Sequence, residues 1–261
     1  MHLTAVILVA LAGVCYCLAA LLRWRLLRGP EATAGYLWPL WVGMVLHTVA
    51  LFISLNEGHH RDFSYGVLGV WAAVASISFV SRFLHTPSRW LLVLPLGGMA
   101  LLIAMAGLMV KPEPPTTGGM PTIVLIHIGF MAAHLAAALI AGASAALYLL
   151  AVRQLKAAKI GALRLPNLPQ LDQLFERTLV VSTALLLGGL ATGGGAMQLS
   201  RTFSLMHPAA LLSLANMALL VLAFTVRLAQ QGGRRAIALS AIASAVITAI
   251  ATLGLLVDRH G

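Results

Sequence analysis

Apolar residues in this chain come in runs of about 20, divided by short segments that hold almost all of the charge. A helix crossing the hydrocarbon core of a bilayer needs about 20 mainly apolar residues. Eight runs meet that length, over about 3–22, 36–55, 64–82, 90–110, 122–150, 178–199, 209–227 and 236–257. The pattern predicts an all-α fold: one integral membrane domain over residues 1–261, built as a polytopic helix bundle. The first run has no basic segment ahead of it, its charges follow it, and seven more runs come after. It is therefore expected as a retained helix rather than a signal peptide.

Composition agrees and removes other classes. The chain is 60% hydrophobic and 9% charged, whereas soluble domains are about 45–50% apolar and about 25% charged. Seven acidic residues are too few for a carboxylate-rich, solvent-walled catalytic centre. The net charge of +10 does not point to nucleic acid, because the basic residues sit between apolar runs, where membrane topology accounts for them.

That distribution also orients the bundle. Arg23, Arg25 and Arg28 follow run 1, and Arg82 and Arg89 follow run 3. Arg153, Lys156, Lys159, Arg164 and Arg177 follow run 5, and Arg227, Arg234 and Arg235 follow run 7. Thirteen of the 17 basic residues thus fall on one side, against Arg61, Lys111, Arg201 and Arg259 on the other. The positive-inside rule places both termini outside the cytoplasm, on the outer or periplasmic side of the cytoplasmic (inner) membrane.

Between runs 5 and 6, the segment at about 165–177 opens with Pro166 and Pro169 and carries Leu171, Leu174 and Phe175 at i, i+3, i+4 spacing. This predicts an amphipathic elbow on the inner membrane surface, or a docking edge for a cytoplasmic partner. Cys15 and Cys17 are spaced C-x-C inside the first run. On a helix they point about 200° apart, so they are expected as unpaired small apolar residues.

Nine histidines in a chain so poor in charge are the unusual feature. Ionisable side chains inside a membrane are costly and mark functional candidates. With the outer side assigned as above, His127 begins about two turns inside the outer end of run 5, and His134 lies about 10 Å deeper on nearly the same face. His47 in run 2 falls between them in depth, and His207 sits at the outer surface just before run 7. Run 6 carries Gly188, Gly189, Gly193, Gly194 and Gly195, and run 5 has Gly129. Such residues admit close approach of another helix or of a flat ligand. Neutral imidazole suits iron, an apolar pocket suits a porphyrin, and Arg61 and Arg201 are placed to meet propionates. The same residues have a plainer reading, with each histidine as a hydrogen-bonded helix contact and the glycines as packing positions. Axial nitrogens on one iron are about 4 Å apart, so His127 and His134 cannot serve one iron. The pairs left are His127 with His207, near the surface, and His134 with His47, deeper.

Three stretches carry a family resemblance. Leu125-Ile126-His127-Ile128 leads into a small-residue run ending Ala146-Leu147-Tyr148-Leu149-Leu150. Leu165-Pro166-x-Leu168 to Leu174-x-x-Arg177 precedes the glycine-rich run, and Met206-His207-Pro208 opens run 7. His47 and Phe63-Ser64-Tyr65-Gly66 add to the match. The chain resembles the cytochrome c assembly superfamily of haem-handling membrane proteins, and within it the short eight-span HemX-like branch related to the CcsA and CcmC types. No tryptophan lies within 195–207, as in the branch without the tryptophan-rich segment. The resemblance implies non-covalent haem b held near the outer leaflet, with His127 and His207 as axial ligands. His47 and His134 would then form a deeper waiting site or hydrogen-bonding support. A regulatory or scaffold subunit, acting through a membrane or cytoplasmic protein partner, is the alternative. Nothing resembles a nucleophile–base pair or a phosphate loop, so no enzymatic activity is expected. Ser182 and Thr192 are read as ordinary membrane-helix hydroxyls.

Overall fold

The structure is a computed structural model that describes residues 2–26, 38–56, 61–80, 93–109, 122–157, 167–200, 208–228 and 233–257. These residues form eight helices and no strand: α1 (His2–Leu26), α2 (Trp38–Asn56), α3 (Arg61–Val80), α4 (Val93–Met109), α5 (Thr122–Lys156), α6 (Leu168–Ser200), α7 (Pro208–Leu228) and α8 (Arg234–Val257). Five of them, α1 and α5–α8, are long and apolar enough to cross a membrane; α2, α3 and α4 hold shorter apolar stretches. The protein is a helical membrane bundle. Its outer surface confirms the class, because the positions facing outward are apolar. On α1, Leu3, Ile7, Leu11, Val14, Leu18 and Leu21 form one exposed stripe at helical spacing. In water such a stripe would be an association patch; in lipid it is the solvated face.

The helices form two packing groups that share α5. Helices α1–α4 enclose a core with Tyr16, Phe63, Leu96 and Ile103, onto which Leu135 and Leu139 of α5 also pack. The second group joins α5–α8 around Phe175, Leu179, Leu186 and Leu220, with Ala141, Ala145, Ala238 and Ala241 letting α5 and α8 approach closely. Most hydroxyls on the helices satisfy themselves locally, as a waterless environment requires. Thr48, Ser144, Thr183, Ser213, Ser240, Thr248 and Thr252 each donate to the carbonyl four residues earlier. Both cysteines are free and half-buried.

The expected elbow at 165–177 is corrected for its described part. Residues 165 and 166 lie outside the described residues, and from Leu168 onward the segment is not a separate surface helix but the start of α6, continuous through the span. Asn167 caps it, accepting from the backbone N–H of Gln170 at 3.0 Å. Pro169 falls in the first turn, where its missing N–H costs nothing. No breaker follows before Gly188, so the helix continues. The apolar edge of the segment turns inward: Leu171 and Phe175 are 2% and 1% exposed, and Phe175 lies 5.4 Å, centroid to centroid, from Tyr148 of α5. Leu171 and Phe175 are thus covered by neighbouring helices of the same chain.

The other side of the same helical turns carries Asp172 and Glu176. Asp172 pairs with Arg234 at the start of α8, and Glu176 with Arg227 in the last turn of α7. The two ion pairs tie the end of α7 and the start of α8 to α6. They are unequal: the Asp172 side chain is 8% exposed, whereas Glu176 and Arg227 are 33% and 39% exposed. Arg227→Ala is expected to cost at most about 1 kcal/mol, the range of exposed pairs. Arg234→Ala should cost more, because it strands a buried carboxylate. Thermal unfolding of both variants in one detergent checks that order.

Candidate functional site

Helices α5 and α6 run antiparallel and are joined by two histidines in one register. His127 Nδ1–H donates to the Gly189 carbonyl at 2.8 Å, and seven residues further along α5, His134 Nδ1–H donates to the Ser182 carbonyl at 2.9 Å, seven residues back along α6. Two heptad-spaced side chains thus pin two heptad-spaced carbonyls. The glycines of α6 make the approach short enough. A Cβ at Gly188 would stand 2.7 Å from Phe130, at Gly189 2.6 Å from the Met131 sulfur, and at Gly195 2.5 Å from Ile123. At Gly193 it would lie 3.1 Å from the His127 ring. Of the two uses expected for these glycines, helix packing is the one seen at these four. Gly194 and Gly129 have nothing within 4 Å of a built Cβ.

The three described histidines inside the bundle differ in what remains free on the ring. His47 is fully buried between α1, α2 and α3: its Nε2–H donates to the Val67 carbonyl at 3.1 Å, and its Nδ1 accepts from the Tyr16 hydroxyl at 3.2 Å. His134 is equally enclosed. With Nδ1–H on Ser182, its Nε2 faces the Thr248 hydroxyl at 3.1 Å and the Asn216 amide at 3.4 Å, and the Ser182 hydroxyl stands 3.0 Å from Nδ1. Both rings have both nitrogens engaged. Each would have to surrender a buried hydrogen bond before it could bind a metal. Of the two roles expected for these residues, hydrogen-bonding support is the one their contacts perform.

His127 is different. Its Nδ1 is committed to Gly189, with the Thr192 hydroxyl at 3.5 Å beside it. That hydroxyl donates to the Gly188 carbonyl at 2.8 Å. Nε2 has no hydrogen-bond partner among the described residues, and the ring is half-buried rather than enclosed. A backbone carbonyl on Nδ1–H fixes the tautomer and directs the Nε2 lone pair outward, which is the arrangement of a metal-binding imidazole. A side chain at position 193 would crowd the ring, so glycine there leaves it room. The site is thus a single pre-oriented imidazole at the α5–α6 seam; no cluster of three or more metal-ligating side chains occurs among the described residues. His207 and Arg201 lie outside the described residues, as does His85; Arg61 is the first residue of α3.

Sequence reasoning placed the histidines but missed most of their partners. Tyr16, Val67 and Thr248 carry no local signal, since a tyrosine or hydroxyl in an apolar run is ordinary. Ser182 and Thr192, read as background, both stand at a histidine. Asn216 had a signal: it is the one amide side chain in the middle of the seventh run, and an amide in lipid requires a partner. Comparison of the chain with protein-family models, with curated proteins and with solved structures finds no match.

Proposed function

We propose that this protein is an integral cytoplasmic-membrane protein that holds haem b non-covalently near the outer leaflet, in a role related to cytochrome c biogenesis. One observation carries the reading: His127 is the only described intramembrane histidine whose ring is held by one nitrogen and open at the other. A group fixed in its tautomer and left one lone pair short of satisfaction suits an axial iron ligand. Haem, when bound, supplies the iron and the redox or transfer chemistry. The chain's own part is to bind and orient through His127, with His207 as the second ligand, and to exclude water with the apolar walls of α5 and α6. His47 and His134 keep the helices around the site in register. The charge pattern supports cytoplasmic placement of the segments after α1, α3, α5 and α7, with both termini outside.

The test is an absorption spectrum of the detergent-purified protein, oxidised and reduced, before and after titration with hemin. A Soret band with split low-spin features on reduction is the expected result. A protein that shows no such band even with hemin in excess overturns the reading and leaves a scaffold or regulatory subunit in its place.

A further inference from the structure

At mid-bundle, α5, α6, α7 and α8 contribute His134, Ser182, Asn216 and Thr248 to one hydrogen-bonded cluster, with Ser244 one turn before Thr248 on α8; each is no more than 6% exposed. Most of the bonds among them close. His134 Nδ1–H is taken by the Ser182 carbonyl, and the Asn216 amide donates one hydrogen to the Thr248 hydroxyl at 3.0 Å and the other toward His134 Nε2. The Thr248 hydroxyl gives its own hydrogen to the Ser244 carbonyl. Two atoms are left over, Asn216 Oδ1 and Ser244 Oγ, both fully enclosed and without a partner.

Reversing the amide does not repair this, because it only exchanges which end of Asn216 is orphaned. Ser244 is also exceptional on its own helix. Ser240, Thr248 and Thr252 all donate to the carbonyl four residues back, the least costly solution for a hydroxyl in lipid, and Ser244 does not. It stands one turn before Thr248 on the same face of α8, the face that meets Asn216. A buried, unpartnered carbonyl oxygen bonded through its own amide to Thr248, and a buried, unpartnered hydroxyl one helical turn from Thr248, call for a ligand that donates a hydrogen to the first and exchanges one with the second. It must also be small enough for a close-packed seam.

We infer that this four-helix node is a binding site for a single internal water molecule, which bridges Asn216 Oδ1 and Ser244 Oγ and completes the hydrogen-bond network around His134. Such waters fill buried polar sites that offer two to four partners. The water fixes Asn216 in the amide orientation that donates to His134 Nε2, and so holds His134 in the tautomer that pins α6. The inference does not rest on haem, and neither readout below requires it.

The sign of one substitution tests it. If Ser244 Oγ were simply an orphaned hydroxyl, Ser244→Ala would remove a liability and raise the melting temperature. If it holds the bridge, Ser244→Ala strands Asn216 Oδ1 and lowers the melting temperature by about 2–4 °C. The coupling partner is Asn216→Leu: in that background the bridge has lost its other end, and Ser244→Ala should no longer lower the melting temperature. An unchanged or raised value for the single Ser244→Ala variant, or an equal loss in both backgrounds, overturns the inference. Should Asn216→Leu fail to fold, a wild-type structure at water-resolving resolution decides. Density within 3.5 Å of both Asn216 Oδ1 and Ser244 Oγ supports the site, and clear density for the side chains without it refutes it.

Discussion

Replacement of His127 by alanine is expected to abolish the low-spin Soret band and to weaken hemin binding at least tenfold, about 1.4 kcal/mol or more, with little effect on folding. Its Nδ1–H contact with Gly189 is a half-buried bond at the edge of a long helix pair, and bonds of this kind contribute about 0.5–1.5 kcal/mol. The opposite pattern is expected of His134→Ala and His47→Ala. Each removes two contacts of an enclosed imidazole and strands buried partners, the Ser182 carbonyl and the Asn216 amide in one case, the Val67 carbonyl and the Tyr16 hydroxyl in the other. Each should therefore cost about 2–4 kcal/mol of stability, while the protein that does fold keeps its haem signal. Spectra and thermal unfolding of the three variants side by side separate ligand from scaffold. Exogenous imidazole should restore the band to His127→Ala alone. A band that survives in His127→Ala and disappears in folded His134→Ala would assign the iron to the deeper ring.

The second large effect is expected at a crossing with no part in binding. Helices α1 and α4 meet where Gly13 faces Gly97, and a Cβ on Gly97 would stand 2.9 Å from the backbone nitrogen of Cys17, 2.7 Å from its sulfur and 3.0 Å from the Gly13 carbonyl. Backbone atoms cannot rotate aside, so any side chain must push the helices apart. Gly97→Val should cost about 3 kcal/mol, the upper end of the usual overpacking range. Gly98 is the matched control, with nothing within 4 Å of its built Cβ. Gly98→Ala should be neutral or should stabilise by up to about 1 kcal/mol through the helix propensity of alanine. Melting temperatures of the pair in one detergent check the contrast; equal behaviour would mean that α1 and α4 do not cross there.

Bulk polarity made much of this molecule readable from one dimension. Runs of about 20 apolar residues give helices in a bilayer because no other local structure satisfies the backbone without water, and seven acidic residues leave little else to build. The eight runs correspond to the eight helices to within a few residues at most ends. The exception is α6, which begins ten residues before its expected start. Its first turns carry Asp172 and Glu176, so hydropathy alone ends the span at Thr178 although the helix does not stop there. Leu171 and Phe175, at the spacing of a surface-lying helix, are buried because the neighbouring helices run alongside this part of α6. Helical periodicity states that a face is apolar; it does not state what covers it.

The histidines show the same division. Their rarity and their depth in the apolar runs belong to the chain and were visible at once. Whether a ring nitrogen is spent or free depends on which carbonyl, hydroxyl or amide arrives from helices 20 to 114 residues away, and no local pattern records that. Sequence by itself determined an all-helical membrane bundle with a few costly imidazoles inside, because transfer into lipid is a property of each residue and its near neighbours. Only the tertiary structure decided that His47 and His134 hold helices together while His127 keeps one nitrogen open, because hydrogen-bond satisfaction is a property of pairs that the chain brings together by folding.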